Sequence, residues 1–143
     1  MAKPNKLLAV VKHLGEWREA HKGDTNRRCL EAVRHALGKE GLVLPWNPYP
    51  QNTALWCLHD LKANAGKWHW SPIHRDDPRD PLPAPCLVFF RGCGKLKDGR
   101  VAGHVAVLGI DGKHYSNSTF TFNDWWKKRV AGAFLIALPE DRK

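Results

Sequence analysis

The feature that most constrains this chain is a break in its hydrophobic rhythm. Between Ser71 and Pro85 the sequence carries prolines at positions 72, 78, 81, 83 and 85, interleaved with charged residues. Each proline locks φ and removes an amide donor, so this stretch is expected to form no regular structure and to run as a long surface loop. Before it, apolar residues recur at helical spacing; after it, they come in short runs separated by turn signals. A chain written this way places helices first and an antiparallel sheet second, which is the α+β class.

The helical half divides into three. Leu7, Val10, Val11, Leu14 and Trp17 form one stripe of a first helix from about Pro4 to Ala20, ended by His21-Lys22-Gly23. Asp24, Thr25 and Asn26 are successive cap candidates for a second helix from about Asn26 to Leu37, with Gly38 placed for a left-handed C-terminal residue. A third is expected from about Thr53 to Asn64, capped by Asn52 or Thr53 and closed by Gly66. Beyond the proline segment, Cys86–Phe90 and Val101–Ile110 read as strands. Asp111-Gly112 is a two-residue hairpin signal with Lys113–Ser118 returning. Asn123–Arg129 suits a short helical turn, and Val130–Leu138 a last strand.

Length and composition set the class. The 143 residues fit a single domain, and seven Trp with five Phe give it ample apolar surface to bury. No apolar stretch approaches the ~20 residues of a membrane helix. The run Leu7–Val11 is also too short for a signal-peptide core of about 7–15 residues, so synthesis in a cytoplasm without export by the general route is expected. Cys29, Cys57, Cys86 and Cys93 show no paired spacing, and free thiols are expected. The formal charge of +9 calls for an acidic partner: nucleic acid, an anionic membrane surface or an anionic wall polymer.

A thiol becomes nucleophilic beside a helix N-terminus, a cation or an imidazole. Cys29 alone is offered the first two, in the opening turn of the second helix just after Arg27 and Arg28. The alternative is a small buried hydrophobe on the Leu30/Val33 side. His104 interrupts an apolar strand, Gly103-His104-Val105-Ala106-Val107-Leu108, and is the candidate base. With a two-residue turn at Asp111-Gly112, Ile110 faces Lys113 and Asn117 opposes Ala106, which puts Asn117 on the His104 face as the orienting residue. A turn longer or shorter by one residue places Ser116 there instead. Cys93, flanked by glycines beside Arg91 and Lys95, is the rival nucleophile, while Cys57 and Cys86 read as core. A zinc site from Cys57, His59, His69, His74 and Cys93 lacks paired ligand spacing. Trp68, His69, Trp70 and His74 suit either a groove or packing around the third helix, and Trp125 and Trp126 one surface and one core position.

These residues carry a resemblance. A cysteine opening a helix, a Gly-His-Val-Ala-Val strand about 75 residues later and a polar residue on the next strand resemble the NlpC/P60 and CHAP papain-like cysteine peptidases and amidases. Pro85–Phe90 is similar to the strand written Gly-Asp-Leu-Val-Phe in that superfamily, and Cys29–Gly38 to the cysteine helix of its phage lysins. The family often has Asp or Asn where Arg28 stands, and Gly-Asp where Pro85-Cys86 stands. The resemblance implies a papain-like core over residues 24–138 behind an N-terminal helix at 1–22, in one catalytic domain of 1–143. It implies a peptidoglycan hydrolase, an endolysin-like endopeptidase or amidase of bacteriophage type or an injected amidase, cutting an amide bond of the stem peptide or cross-link.

In that mechanism Cys29 attacks, its own amide is an oxyanion donor, His104 transfers the proton and Asn117 orients the ring, with no metal or other cofactor. The expected partners are bacterial peptidoglycan and anionic wall polymers, and the expected form is a monomer acting at the cell wall. Two other readings are a catalytically inactive papain-like binding domain and a basic nucleic-acid-binding module. The latter rests on the charge and on Trp125-Trp126-Lys127-Lys128-Arg129. Its basic residues are spread over every segment rather than gathered in a recognition motif.

Overall fold

The helical rhythm of the first half produces three helices: α1 (Lys6–Ala20), α2 (Cys29–Gly38) and α3 (Ala54–Asn64). The computed structural model describes residues 6–24, 28–77, 80–96 and 98–137. Leu7, Val10, Leu14 and Trp17 of α1 and Leu30, Val33 and Leu37 of α2 are buried, as their spacing requires, and Ala32 and Ala36 widen the second stripe. Thr53 caps α3, its hydroxyl accepting from the Trp56 amide. Pro4 and two of the cap candidates for α2, Thr25 and Asn26, lie outside the described residues.

Two helix ends depart from expectation. At the α2 N-terminus Arg28 holds the cap position with no side-chain cap. Asp24 instead accepts from the Arg28 guanidinium at 2.9 Å, and Glu31 takes its other side. At the C-termini, Gly38 is still helical and Gly41 (φ 72°) takes the left-handed conformation; after α3 a 3-10 turn (Ala65–Trp68) runs on to a left-handed His69 (φ 64°), not to Gly66.

The second half forms six strands: β1 (Trp70–Pro72), β2 (Cys86–Phe90), β3 (His104–Leu108), β4 (Lys113–Tyr115), β5 (Thr119–Thr121) and β6 (Val130–Ile136), with a helical turn α4 (Asp124–Lys127) before the last. They make one antiparallel sheet in the order β1-β6-β2-β3-β4-β5. β1 corrects the proline-loop expectation at its first residues. Pro72 is tolerated because β1 is an edge strand, where a missing amide removes no central ladder bond. The strand expected at Val101–Ile110 is shorter, with Val101 only bridging Lys95, and Lys113–Ser118 is split into β4 and a turn leading to β5. Leu138 lies outside the described residues.

β2 and β3 are buried on both faces, which is why they read as unbroken apolar runs. Leu87, Phe89, Val105, Val107 and Phe134 meet the helical layer. Cys86, Val88, Phe90, Ala106 and Leu108 form a second core, covered by Ile73, Leu82, Phe122 and Trp126. Each large side chain removed from water in these layers contributes about 1.5–3 kcal/mol. The proline segment and α4 therefore act as the lid of the second core. No helix among the described residues is long and apolar enough to cross a membrane.

The hairpin joining β3 to β4 decides which residues face one another. Val107 pairs with Tyr115 and Leu108 with His114, and the Gly109 amide donates to the Lys113 carbonyl. The turn thus holds three residues, Ile110, Asp111 and Gly112, and not the two expected. Asp111 stabilises this longer turn by accepting from the Lys113 amide at 3.1 Å and from the Tyr115 hydroxyl. One extra residue shifts the pairing by one, so Ser116 replaces Asn117 opposite Ala106.

Candidate active site

Cys29 is the first residue of α2, where backbone amides have no helical acceptor. Its sulfur faces the amides of Val105, Leu30 and Cys29 itself. Burial pushes the thiol pKa up, and these three amides act in the opposite sense without overcoming it. The resting group is therefore a neutral thiol in a cradle of donors that would favour negative charge. Val105 is the residue after His104, so α2 delivers the sulfur to the start of β3.

His104 enters β3 directly opposite Phe90. Strand alternation sends Val105 into the helix-facing core and the His104 ring to the other face. There the imidazole lies 5.1–5.7 Å, centroid to centroid, from Phe90, His114, Phe120 and Trp126. It is 8% exposed, and burial pushes its pKa down to about 4, so at neutral pH it is an uncharged base. No hydrogen bond joins the Cys29 thiol to the His104 ring among the described residues. The structure brings the two residues to one strand end but leaves their side chains uncoupled.

Ser116, not Asn117, is the partner of His104: its Oγ lies 3.2 Å from Nε2. The three-residue turn is the reason for this correction. Asn117 keeps a place one step out, its Oδ1 accepting from the Ser116 hydroxyl at 2.9 Å. A hydroxyl has one proton to give. If that proton goes to Asn117, Ser116 Oγ accepts from His104 Nε2–H, and the free base position of the neutral ring is Nδ1.

The remaining candidates separate cleanly. Cys57 and Cys86 are buried in the two cores, and burial pushes both thiols up to about 12. Cys93 is half-buried, donates to the Arg91 carbonyl at 3.5 Å and is pushed up to about 11 by burial. Among the described residues no three His, Cys, Asp or Glu side chains converge as a metal ion would need. Trp70 is buried, its Nε1 donating to the Val43 carbonyl at 2.8 Å, so it serves packing. Trp126 packs into the second core, and Trp125, 44% exposed, stacks under the Arg129 guanidinium at 3.7 Å.

Sequence reasoning missed what surrounds the site. Phe120, Phe122 and Trp126 box His104 and His114 from β5, α4 and the segment between them. The signal was present as aromatics following the hairpin, but nothing local shows that they fold back over its inner face. A cavity of ≈ 290 Å³ opens beside Cys29, lined among others by Arg34, Trp46, Thr53 and Ala102. Trp46 comes from the proline-rich turn before α3, which sequence alone did not connect to the thiol.

No protein-family model matches this chain, and no curated protein matches it in sequence. Solved structures match it in fold. The type VI effector Tae3 from Ralstonia pickettii, determined in a native effector–immunity complex with Tai3, aligns with a TM-score of 0.55 at 12% identity, covering 94% of this chain and 99% of the other. A lipoprotein-like protein of the NLP/P60 family from Staphylococcus aureus aligns with a TM-score of 0.52 at 14% identity, covering 90% of this chain. This chain spans 42% of that staphylococcal protein. At these identities the likeness establishes the fold, an α+β arrangement of the NlpC/P60 kind, and nothing finer.

Proposed function

We propose that this chain is a peptidoglycan hydrolase, a cysteine peptidase or amidase that cleaves an amide bond in or next to the stem peptide. The observation that carries the reading is a helix-opening thiol cradled by three amides, one of them that of Val105, with the preceding residue His104 bearing an imidazole held through Nε2 by Ser116. The fold of an NLP/P60-family protein supports it.

The reaction then follows from the groups present. Cys29 Sγ attacks the amide carbonyl carbon while its proton passes to His104 Nδ1. The carbonyl electron pair moves to oxygen, where the α2 N-terminal amides stabilise it. Collapse breaks the C–N bond, and Nδ1–H protonates the departing amine. Water, deprotonated by the same nitrogen, attacks the thioester and releases a carboxylic acid and the thiol. Ser116 and Asn117 hold the ring so that Nδ1 is the basic atom throughout. The step needs the ring to approach the sulfur, and such contacts are often long before substrate binds and tighten with it.

The test is turbidity loss of purified cell walls. Wild-type protein should clear a susceptible wall, while Cys29→Ala and His104→Ala each abolish clearing with folding retained. Mass spectrometry of the released fragments identifies the bond from its new termini. Iodoacetamide adds a second readout: with the thiol pKa raised, Cys29 should alkylate slowly at neutral pH and faster as pH rises.

The uncoupled side chains of Cys29 and His104 favour a second reading, a papain-like domain that binds wall peptide without cutting it. Binding of wall fragments with no clearing would select it. Under the leading reading, likeness to Tae3 along nearly the whole length of both chains supports an injected effector over a phage endolysin. Such a protein would be made in a cytoplasm, act at the bacterial wall and be held by an immunity protein, as Tae3 is. The +9 charge would assist its capture by anionic wall polymers.

A further inference from the structure

Among the described residues, the cavity beside Cys29 contains one charge that lacks an ionic partner. Of its charged lining residues, Arg28 and Glu31 pair with each other, and Arg28 also with Asp24 outside the cavity. Arg34 is different. No carboxylate pairs with it among the described residues; its guanidinium carbon lies 5.6 Å from the ring centroid of Trp46, a side chain 54% exposed at the cavity rim. A cation at this distance is attracted by the electron-rich face of the indole, a contact that leaves its N–H donors available to an anion.

Position supplies the second half of the argument. Arg34 follows Cys29 by five residues on the same helix, a rise of about 7.5 Å. Five residues also turn the helix by about 140°, so what links the two side chains is the single cavity that both of them line. A planar guanidinium with free edge donors is suited to a carboxylate, which it can bind through two parallel hydrogen bonds. We propose that Arg34, held against Trp46, receives a substrate carboxylate in the cavity that also opens onto Cys29. The chain would then select acidic peptides over their amidated counterparts. This inference rests on the reading of Cys29 as the nucleophile but is tested separately from it.

The probes are a wall stem peptide with its carboxylates free and the same peptide with them amidated. Calorimetry on the Cys29→Ala protein should show the free-carboxylate peptide binding roughly tenfold to a hundredfold more tightly. Arg34→Gln in that background should bring the ratio close to one, and Arg34→Lys should restore part of it. A purely structural role for Arg34 would weaken both peptides equally and leave the ratio unchanged. Equal affinities in the Arg34-containing protein, or binding of neither peptide, would overturn the proposal. Failure of the Cys29-containing protein to hydrolyse either peptide would instead remove the enzymatic reading, leaving the binding ratio to decide the role of Arg34.

Discussion

In the proposed mechanism a single hydroxyl selects which nitrogen of His104 acts as the base. Ser116 accepts from Nε2 only while its own proton is directed to Asn117, so the two residues work in series. Ser116→Ala should lower kcat by roughly 10²-fold, because a misoriented reacting group costs about that much. Asn117→Ala should cost less, since Ser116 can still contact the ring. Wall-clearing rates at saturating substrate check both. His114 makes a different point: it is fully buried, packed on Phe120 at 5.1 Å, and neither ring nitrogen has a hydrogen-bond partner among the described residues. Burial first and the neighbouring His104 second push its pKa down to about 3. Both rings bind protons less readily in the folded protein than in the unfolded chain. The unfolded chain therefore takes up protons first as pH falls from 6.5, and stability declines until about pH 4 for His104. That window corresponds to on the order of 3 kcal/mol for His104. His114→Leu removes an unsatisfied buried group and should stabilise the fold by about 1–3 kcal/mol at neutral pH, with a weaker loss on acidification. Denaturant midpoints measured from pH 7 to pH 4 test this, and a lower midpoint for the variant would count against it.

At the level of elements, the site depends on how two connections deliver β3. On its entry side Gly103 has φ 67°, and a methyl added there would sit 2.5 Å from Leu55 Cγ and 2.9 Å from the Phe90 carbonyl oxygen. Only a residue without Cβ allows β3 to begin this close to α3, with His104 opposite Phe90. Gly103→Ala should destabilise by roughly 2–4 kcal/mol through left-handed strain and overpacking together. It should also reduce activity beyond the loss in folded fraction, which parallel measurement of denaturant midpoint and kcat would separate. On the exit side, the turn at Ile110–Gly112 sets the register that places Ser116. The expected Asp111-Gly112 signal was correct about the existence of the hairpin and wrong about its length, because Asp111 stabilises a wider turn through Lys113 and Tyr115.

For the molecule as a whole, two layers of different origin cover one sheet. Three helices cover one face, and the proline segment with α4 covers the other. The net charge of +9 acts on top of this architecture, over distances limited by the Debye length. Retention on insoluble wall carrying anionic polymer should fall steeply between about 50 mM and 0.5 M NaCl, a range over which screening shortens to a few ångströms. Retention that ignores salt would mean that capture depends on specific contacts. Binding of oligonucleotides more tightly than wall would instead favour the nucleic-acid reading.

The sequence by itself determined the α+β order, the three helices with their buried stripes, the apolar central strands and the thiol at the head of α2. Those features depend on periodicity and local capping, which act over a few residues. It also carried His104 as the polar interruption of β3. Only the tertiary structure decided that Ser116 is its partner, that Phe120 and Trp126 close over it, that β6 inserts between β1 and β2, and that Arg34 and Trp46 share a cavity with Cys29. These depend on hairpin register and on contacts between residues distant in sequence. One added turn residue exchanges the two faces of a strand, a change too small for hydrophobic pattern to reveal.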